Sequence, residues 1–316
     1  MNTRRPLPPR LAAEPFRVAR ARDLGVRPWR LDALDLRAPH HGVRVPASIS
    51  DDRDHRLRSL LPVMRADQCF SHTTAAWVLG LPVPERCRSD PAVHVSSIGA
   101  TSAMRRRGVV GHTATATRIV VRRGLPVSAP IDTWLALGSM LSVTELVVVG
   151  DALVGDSMAV AEPSDLADAV ATGSPRGVTR LRAAADQVVS GSESPKETEL
   201  RLALPEHIRS RFGPKVRVFM AGRYLGRPDL VAASALLAIE YEGDHHRTDT
   251  AVFRQDIARR ERFEDAGWRV VRATQRDLDA GRAEFIARVR WLLSTRSSGH
   301  RLAEEHRRGR LWAVRG

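Results

Sequence analysis

The chain has 316 residues, 43% of them hydrophobic. That is enough apolar material for more than one core, and no apolar run in it is long enough to span a bilayer. The formal net charge of +14 is carried almost wholly by arginine, which suits a polyanion partner but also follows from an arginine-favouring composition. Aromatics at 5% argue against a base-stacking platform for single strands. Two cysteines, Cys69 and Cys87, rule out a disulfide framework or a cysteine zinc quartet.

No apolar signal-type segment follows the basic N-terminus, so the expected location is the cytoplasm. Residues 16–46 predict a helix, a turn at Leu24-Gly25-Val26 and a second helix from about Pro28 to Leu36. Gly25 suits a helix stop and Pro28 a first helical turn. A turn and short strand follow through Val45, so residues 1–50 have the order of a winged helix-turn-helix. Arg27, Arg30 and Arg37 would decorate the second helix as DNA contacts; the plainer alternative is a helical hairpin with solvated arginines.

Residues 51–160 predict an α/β scaffold. An amphipathic helix spans Asp51–Ala66, and a second runs from Ser71 as N-cap to Gly80 as stop. Cys69 reads as a packing residue in a helical context, and His72 as a structural or capping residue. Short strands are expected at 93–98, Val109–Thr113 and Ile119–Arg122, then a turn-rich link at Gly124–Pro130 and helices at Ile131–Leu141 and Ser142–Leu153. No convergent acid, cysteine or histidine cluster is legible in this middle segment. Residues 161–193 read as a helical linker, with a domain boundary in the small polar run Gly191–Pro195.

The C-terminal unit, 194–293, begins with a helix over Pro195–Ser210 that bends at Pro205. Strands are expected at Val216–Ala221, Arg227–Ala232 and Leu236–Glu242, then a helix at Asp249–Ala266, a strand at Trp268–Thr274 and a helix at Asp277–Leu293. Residues 294–316 read as a poorly ordered basic tail. The whole chain is thus α+β, ending in an α/β sandwich around a mixed sheet. Glu240 and Glu242 alternate onto one strand face, and Asp229 on the neighbouring strand would bring a third carboxylate to the same spot. Three carboxylates need a cation, and a hard divalent ion such as Mg²⁺ or Mn²⁺ takes oxygen ligands of this kind.

The ordered motifs SPKETELR (194–201), RPDLV (227–231), AIEYEGDHHR (238–247) and GWRVVRAT (267–274) resemble the PD-(D/E)xK nuclease superfamily. More narrowly, they resemble endonuclease-like domains related to very-short-patch repair nucleases, which have a restriction-endonuclease-like fold. The winged-helix order, the SHTTAAWVLGL helix (71–81) and the GLPVSAP…DTWLAL segment (124–137) make residues 16–154 resemble abortive-infection antitoxin-like proteins. The nuclease resemblance implies Asp229 as central metal ligand, Glu240 as second ligand with the Tyr241 carbonyl completing the shell, and Glu197 or Glu199 holding a metal-bound water. It also implies His245 and His246 for proton transfer. Where the superfamily usually carries lysine this chain has Glu242, which leaves Lys196 and His246 as alternative activating groups. Arg247, Arg254, Arg259 and Arg260 would supply backbone affinity, or form a solvated helix face. The expected activity is metal-dependent DNA cleavage. The alternatives are a catalytically silent DNA-binding regulator and an antitoxin-type protein bound to a toxin-like partner; a homodimer would suit paired cuts.

Overall fold

The computed structural model describes residues 6–100, 102–156, 158–213, 215–243, 250–304 and 312–315, the side chains of 250–257 and of residues beyond 296 excepted. The chain divides into two compact units, Met1–Leu137 and Gly138–Gly316. No described helix is long and apolar enough to cross a membrane.

The first unit opens with α1 (Pro9–Ala12), β1 (Phe16–Arg17), α2 (Val18–Asp23), α3 (Pro28–Leu31), β2 (Leu36–Arg37) and β3 (Val43–Pro46). The strands form an antiparallel sheet in the order β1-β3-β2, and Leu11, Phe16, Ala21, Val26 and Leu31 make a small core. Gly25, at φ +79°, turns the chain between α2 and α3. The second helix is shorter than expected. Its chain leaves the helix at Asp32, because Arg30 folds back to grip Asp35 through two hydrogen bonds, and Leu36 then pairs with Pro46.

The rest of the unit comprises α4 (Arg53–Arg58), β4 (Gln68–Phe70), α5 (His72–Leu79), α6 (Glu85–Arg88), β5 (Val93–Ile98), β6 (Val109–Ala114), β7 (Ile119–Arg122), β8 (Leu125–Ser128) and α7 (Pro130–Leu137). A mixed five-stranded sheet has the order β6-β5-β4-β8-β7. The expected long helix over 51–66 stops at Arg58 and continues only as a 3₁₀ turn holding Pro62. Cys69 lies in a strand, and the expected link at 124–130 contains β8. Both segments are too short to display a period, and both are buried.

The second unit starts with α8 (Val143–Val154), α9 (Pro163–Thr172), α10 (Val178–Ala185) and α11 (Pro195–Ala203). Helices α10 and α11 both pack on α8, so residues 161–193 are part of this unit and no boundary falls at 191–195. Gly177, the N-cap of α10, has φ +81°, and a Cβ built there would lie 2.0 Å from the Gly138 carbonyl oxygen. Gly177→Ala is therefore expected to cost about 2 kcal/mol or more, a drop of several degrees in Tm. Gly191→Ala shares the positive φ but meets open space, and should cost less in the same thermal melts.

Then come α12 (Glu206–Arg209), β9 (Arg217–Met220), β10 (Arg223–Gly226), β11 (Leu230–Ala232), β12 (Leu237–Tyr241), α13 (Thr250–Asp265), β13 (Arg269–Ala273), α14 (Gln275–Leu278), α15 (Arg282–Glu304) and β14 (Trp312–Arg315). Strands β11 and β12 are antiparallel and β12 and β13 parallel, a mixed sheet in the order β11-β12-β13. Alternate residues enter two cores. Leu230, Leu237, Ile239 and Val271 pack with Leu200, Ile208 and Phe285 from the helices on one face. Val231, Ala238 and Trp268 pack with Val218, Leu225 and Phe263 on the other. A sheet buried on both faces accounts for the near-continuous apolar run before Glu240. Within the stretch expected as a tail, α15 continues to Glu304, and β14 pairs antiparallel with β9.

Candidate active site

The sheet geometry places the acids. Asp229 immediately precedes β11, where Leu230 faces Ile239, so the register sets Asp229 beside Glu240. Both have the parity of Val231 and Ala238, the face covered by α13. The Tyr241 backbone N–H donates to Asp229 Oδ2 at 2.8 Å and fixes the carboxylate.

Asp229, Glu240 and Glu242 line one cleft of about 870 Å³ together with Glu197. They do not merge into one ligand set, because each meets its own cation. Arg259 grips Glu240 with both guanidinium nitrogens at 3.0 Å, and Arg272 meets Glu242 at 2.9 Å. Asp229 lies 3.5 Å from the Lys215 ammonium. Burial raises the Asp229 pKa above the usual carboxylate range, and the Glu197 charge adds to the rise.

Lys215 was not foreseen, and it is the centre of the arrangement. Gly213 bridges Val231, and its N–H donates to the Val231 carbonyl, two residues before Lys215. The Lys215 ammonium then reaches Glu193 at 2.9 Å and Glu197 at 3.0 Å as well as Asp229. Burial alone would lower its pKa, but the hydrogen bonds to Glu193 and Glu197 hold it above the ordinary value. Glu197 is set by the start of α11: its N–H caps on Ser194, and its carboxylate accepts from the Glu193 N–H. The side chains of Lys215, Asp229, Glu197 and Glu240 are only 12–14% exposed, against 45% for Glu242. Glu242 therefore belongs to the rim.

A sequence signal for Lys215 does exist. Only two of the 50 basic side chains are lysines, Lys196 and Lys215, and both line this cleft.

Glu199 is not among the cleft-lining residues; it pairs with Lys196 at 2.6 Å on the flank of α11. Arg30 is a correction: it is 5% exposed and committed to Asp35, so its guanidinium is not at the surface. Arg37 lies on a strand, bound to the Ile49 and Ser50 carbonyls and paired with Asp51, while Arg27 stays exposed at the start of α3. Arg260 pairs loosely with Glu264 along its own helix and does not line the cleft. His245, His246 and Arg247 lie outside the described residues, as does the Arg254 side chain.

The donors suit a hard divalent cation in kind: carboxylate oxygens around a largely buried Asp229 whose one close cation among the described residues is the Lys215 ammonium. Around this acidic floor the wall is basic, with Arg227, Arg259, Arg262 and Arg272 among the lining residues. The Arg262 Nε is buried without a hydrogen-bond partner among the described residues.

No protein-family model matches the chain, and no curated protein matches it significantly. Among solved structures it is similar to the RV2827C protein from Mycobacterium tuberculosis, with a TM-score of 0.38 and 17% identity. The match covers 60% of this chain and 76% of that one. Likeness at that level carries no functional weight.

Proposed function

We propose that the protein is a divalent-metal-dependent endonuclease that hydrolyses DNA phosphodiester bonds at the Asp229 cleft. The single observation that carries this is the meeting of Asp229, Glu240 and Lys215 in one arginine-walled cleft. In this reading the mixed sheet with its flanking helices is of the restriction-endonuclease type. The lysine that its usual motif places two residues after Glu240 is supplied instead from the segment before β9.

Asp229 and Glu240 would hold the cation, Mg²⁺ or Mn²⁺. Bound there, it would acidify a water, polarise the phosphoryl group and stabilise the leaving oxygen. The chain's own groups do the rest. Arg259 leaves Glu240 to bind a phosphate oxygen, and Arg227, Arg262 and Arg272 fix the backbone by charge, independent of sequence. Lys215 remains on Glu197: its ammonium holds the attacking water and offsets developing negative charge, and the Glu197 carboxylate takes up the water's proton. The first 50 residues would act as a winged-helix DNA contact, with Arg27 and the exposed Trp29 on its surface. A paired cut would use a homodimer.

A silent DNA-binding module, or an antitoxin-type protein bound to a toxin-like partner, is the second reading. The Glu240–Arg259 and Glu242–Arg272 pairs favour it, because each already neutralises an acid without metal. Lys215→Met separates the two. A nuclease loses cleavage by about 10²-fold or more, the usual scale for removing one positioned charge-stabilising donor, and keeps its salt-dependent DNA affinity. A silent module changes in neither respect. Gel shift and plasmid nicking on the same preparation measure both.

A further inference from the structure

The first unit holds a histidine cluster outside the cleft that the spacing of its residues did not reveal. His72 begins α5, while His94 and His112 lie on the adjacent parallel strands β5 and β6. The register pairs Ser96 with His112 and His94 with Val110, so the two strand histidines are diagonal neighbours on one face. The Ser71 N–H donates to the His94 carbonyl and the His94 N–H to Thr74 Oγ1, which docks the start of α5 against them. One ligand nitrogen from each ring lies within 4.8 Å of the others, the sole such three-residue group among the described residues. His94 Nδ1 and His112 Nε2 are 2.9 Å apart, and the rings of His72 and His112 stack at 3.7 Å.

We infer that His72, His94 and His112 form a binding site for a borderline transition-metal cation of the Zn²⁺, Co²⁺ or Ni²⁺ class, distinct from the carboxylate cleft. Imidazole suits these ions and suits Mg²⁺ poorly. Three histidines leave the fourth position of a tetrahedral ion open to water or a ligand. Nitrogens bound to one such ion sit about 3.4 Å apart, a spacing that the observed contacts bracket. Turning the rings about χ2, a soft torsion in histidine, unstacks them onto a common centre.

Two further features fit. His94 is 4% exposed, and among the described residues its Nε2 has no hydrogen-bond partner; the Asp90 carboxylate oxygen is 3.6 Å away. Nε2 is thus the nitrogen on the Asp90 side and Nδ1 the one that faces His112, and a carboxylate beyond the far ring nitrogen is the usual outer support of a metal-bound histidine. His72 Nδ1 contacts Ser71 Oγ at 3.0 Å, and that hydroxyl is itself held by Ser96, which makes Nε2 the ligand atom. His72 also sits at φ +51°, a strained position that aims its ring at the strands.

The test uses the full chain stripped with chelator and titrated with Co²⁺ or Zn²⁺ alone, followed by the visible cobalt bands and by calorimetry. One ion per chain is expected, with tetrahedral cobalt bands. Binding should fall at least 100-fold in His112→Gln and in His72→Gln, and about 10-fold in Asp90→Asn, while Asp229→Asn leaves it unchanged. Both histidines are only partly buried, and circular dichroism checks that their variants fold. Binding that His112→Gln and His72→Gln leave intact, or no binding by the parent protein, overturns the site. Failure of DNA cleavage has no bearing on this outcome.

Discussion

Asp229→Asn should abolish metal-dependent nicking while making the metal-free protein more stable at neutral pH. The side chain keeps its shape, and an amide oxygen still accepts the Tyr241 N–H, so only charge is lost. A bound metal supplies several kcal/mol of transition-state stabilisation, so cleavage should fall by roughly 10³-fold or more. The stability effect has the opposite sign. Burial raises the folded-state pKa of Asp229 above its unfolded value near 4. Such a group favours folding below the unfolded pKa and loses that contribution as pH rises through the folded one. At neutral pH the ionised carboxylate therefore opposes folding, and Lys215 keeps Glu193 and Glu197 without it. Thermal melts should place the variant above the parent at pH 7 to 8, with the gap closing as pH falls toward about 4. Equal melts across that range would contradict a buried carboxylate kept for function. Protonated Asp229 cannot hold a cation, so cleavage should fall at acid pH, and its acid limb should move to lower pH as the metal concentration is raised.

The largest stability effect is expected at Asp151 in α8. Its side chain is 1% exposed and accepts from the Val189 N–H, Thr198 Oγ1 and Arg201, tying α8 to α11. Burial pushes its pKa up despite the Arg201 charge, so removal from water outweighs the ion pair. Asp151→Ala leaves Arg201, only 11% exposed, without this partner and should cost about 3–5 kcal/mol. That is a fall of roughly 10 °C in Tm for a unit of this size. The double variant Asp151→Leu, Arg201→Met should recover much of the loss, because it removes both buried charges together. A double variant as unstable as the single would mean that the backbone and Thr198 bonds, rather than the stranded guanidinium, set the cost.

Most of the second unit was legible because its signals are local and redundant. Pro195 after Ser194 starts α11, Pro205 ends it before α12, Gly267 follows α13, and the apolar run up to Ile239 marks β12. The placement of Asp229 beside Glu240 could be read for the same reason: two adjacent strands impose it. Lys215 could not be read that way. It reaches Asp229 through an isolated bridge at Gly213, a contact that leaves no periodic trace in the sequence. The histidine trio was hidden for a similar reason, since parallel pairing of β5 with β6 depends on a crossover that spacing does not encode. Arg30 illustrates the reverse error. A basic residue on a short helix looks solvated until the chain bends back and supplies Asp35.

Nicking of supercoiled plasmid by the purified parent protein, with Mg²⁺ or Mn²⁺ and with chelator, is the most direct test of the Asp229 cleft as a nuclease centre. The expected result is conversion to the open circle with either metal and none with chelator. DNA binding that persists without cleavage under every metal would contradict the nuclease and leave a binding module.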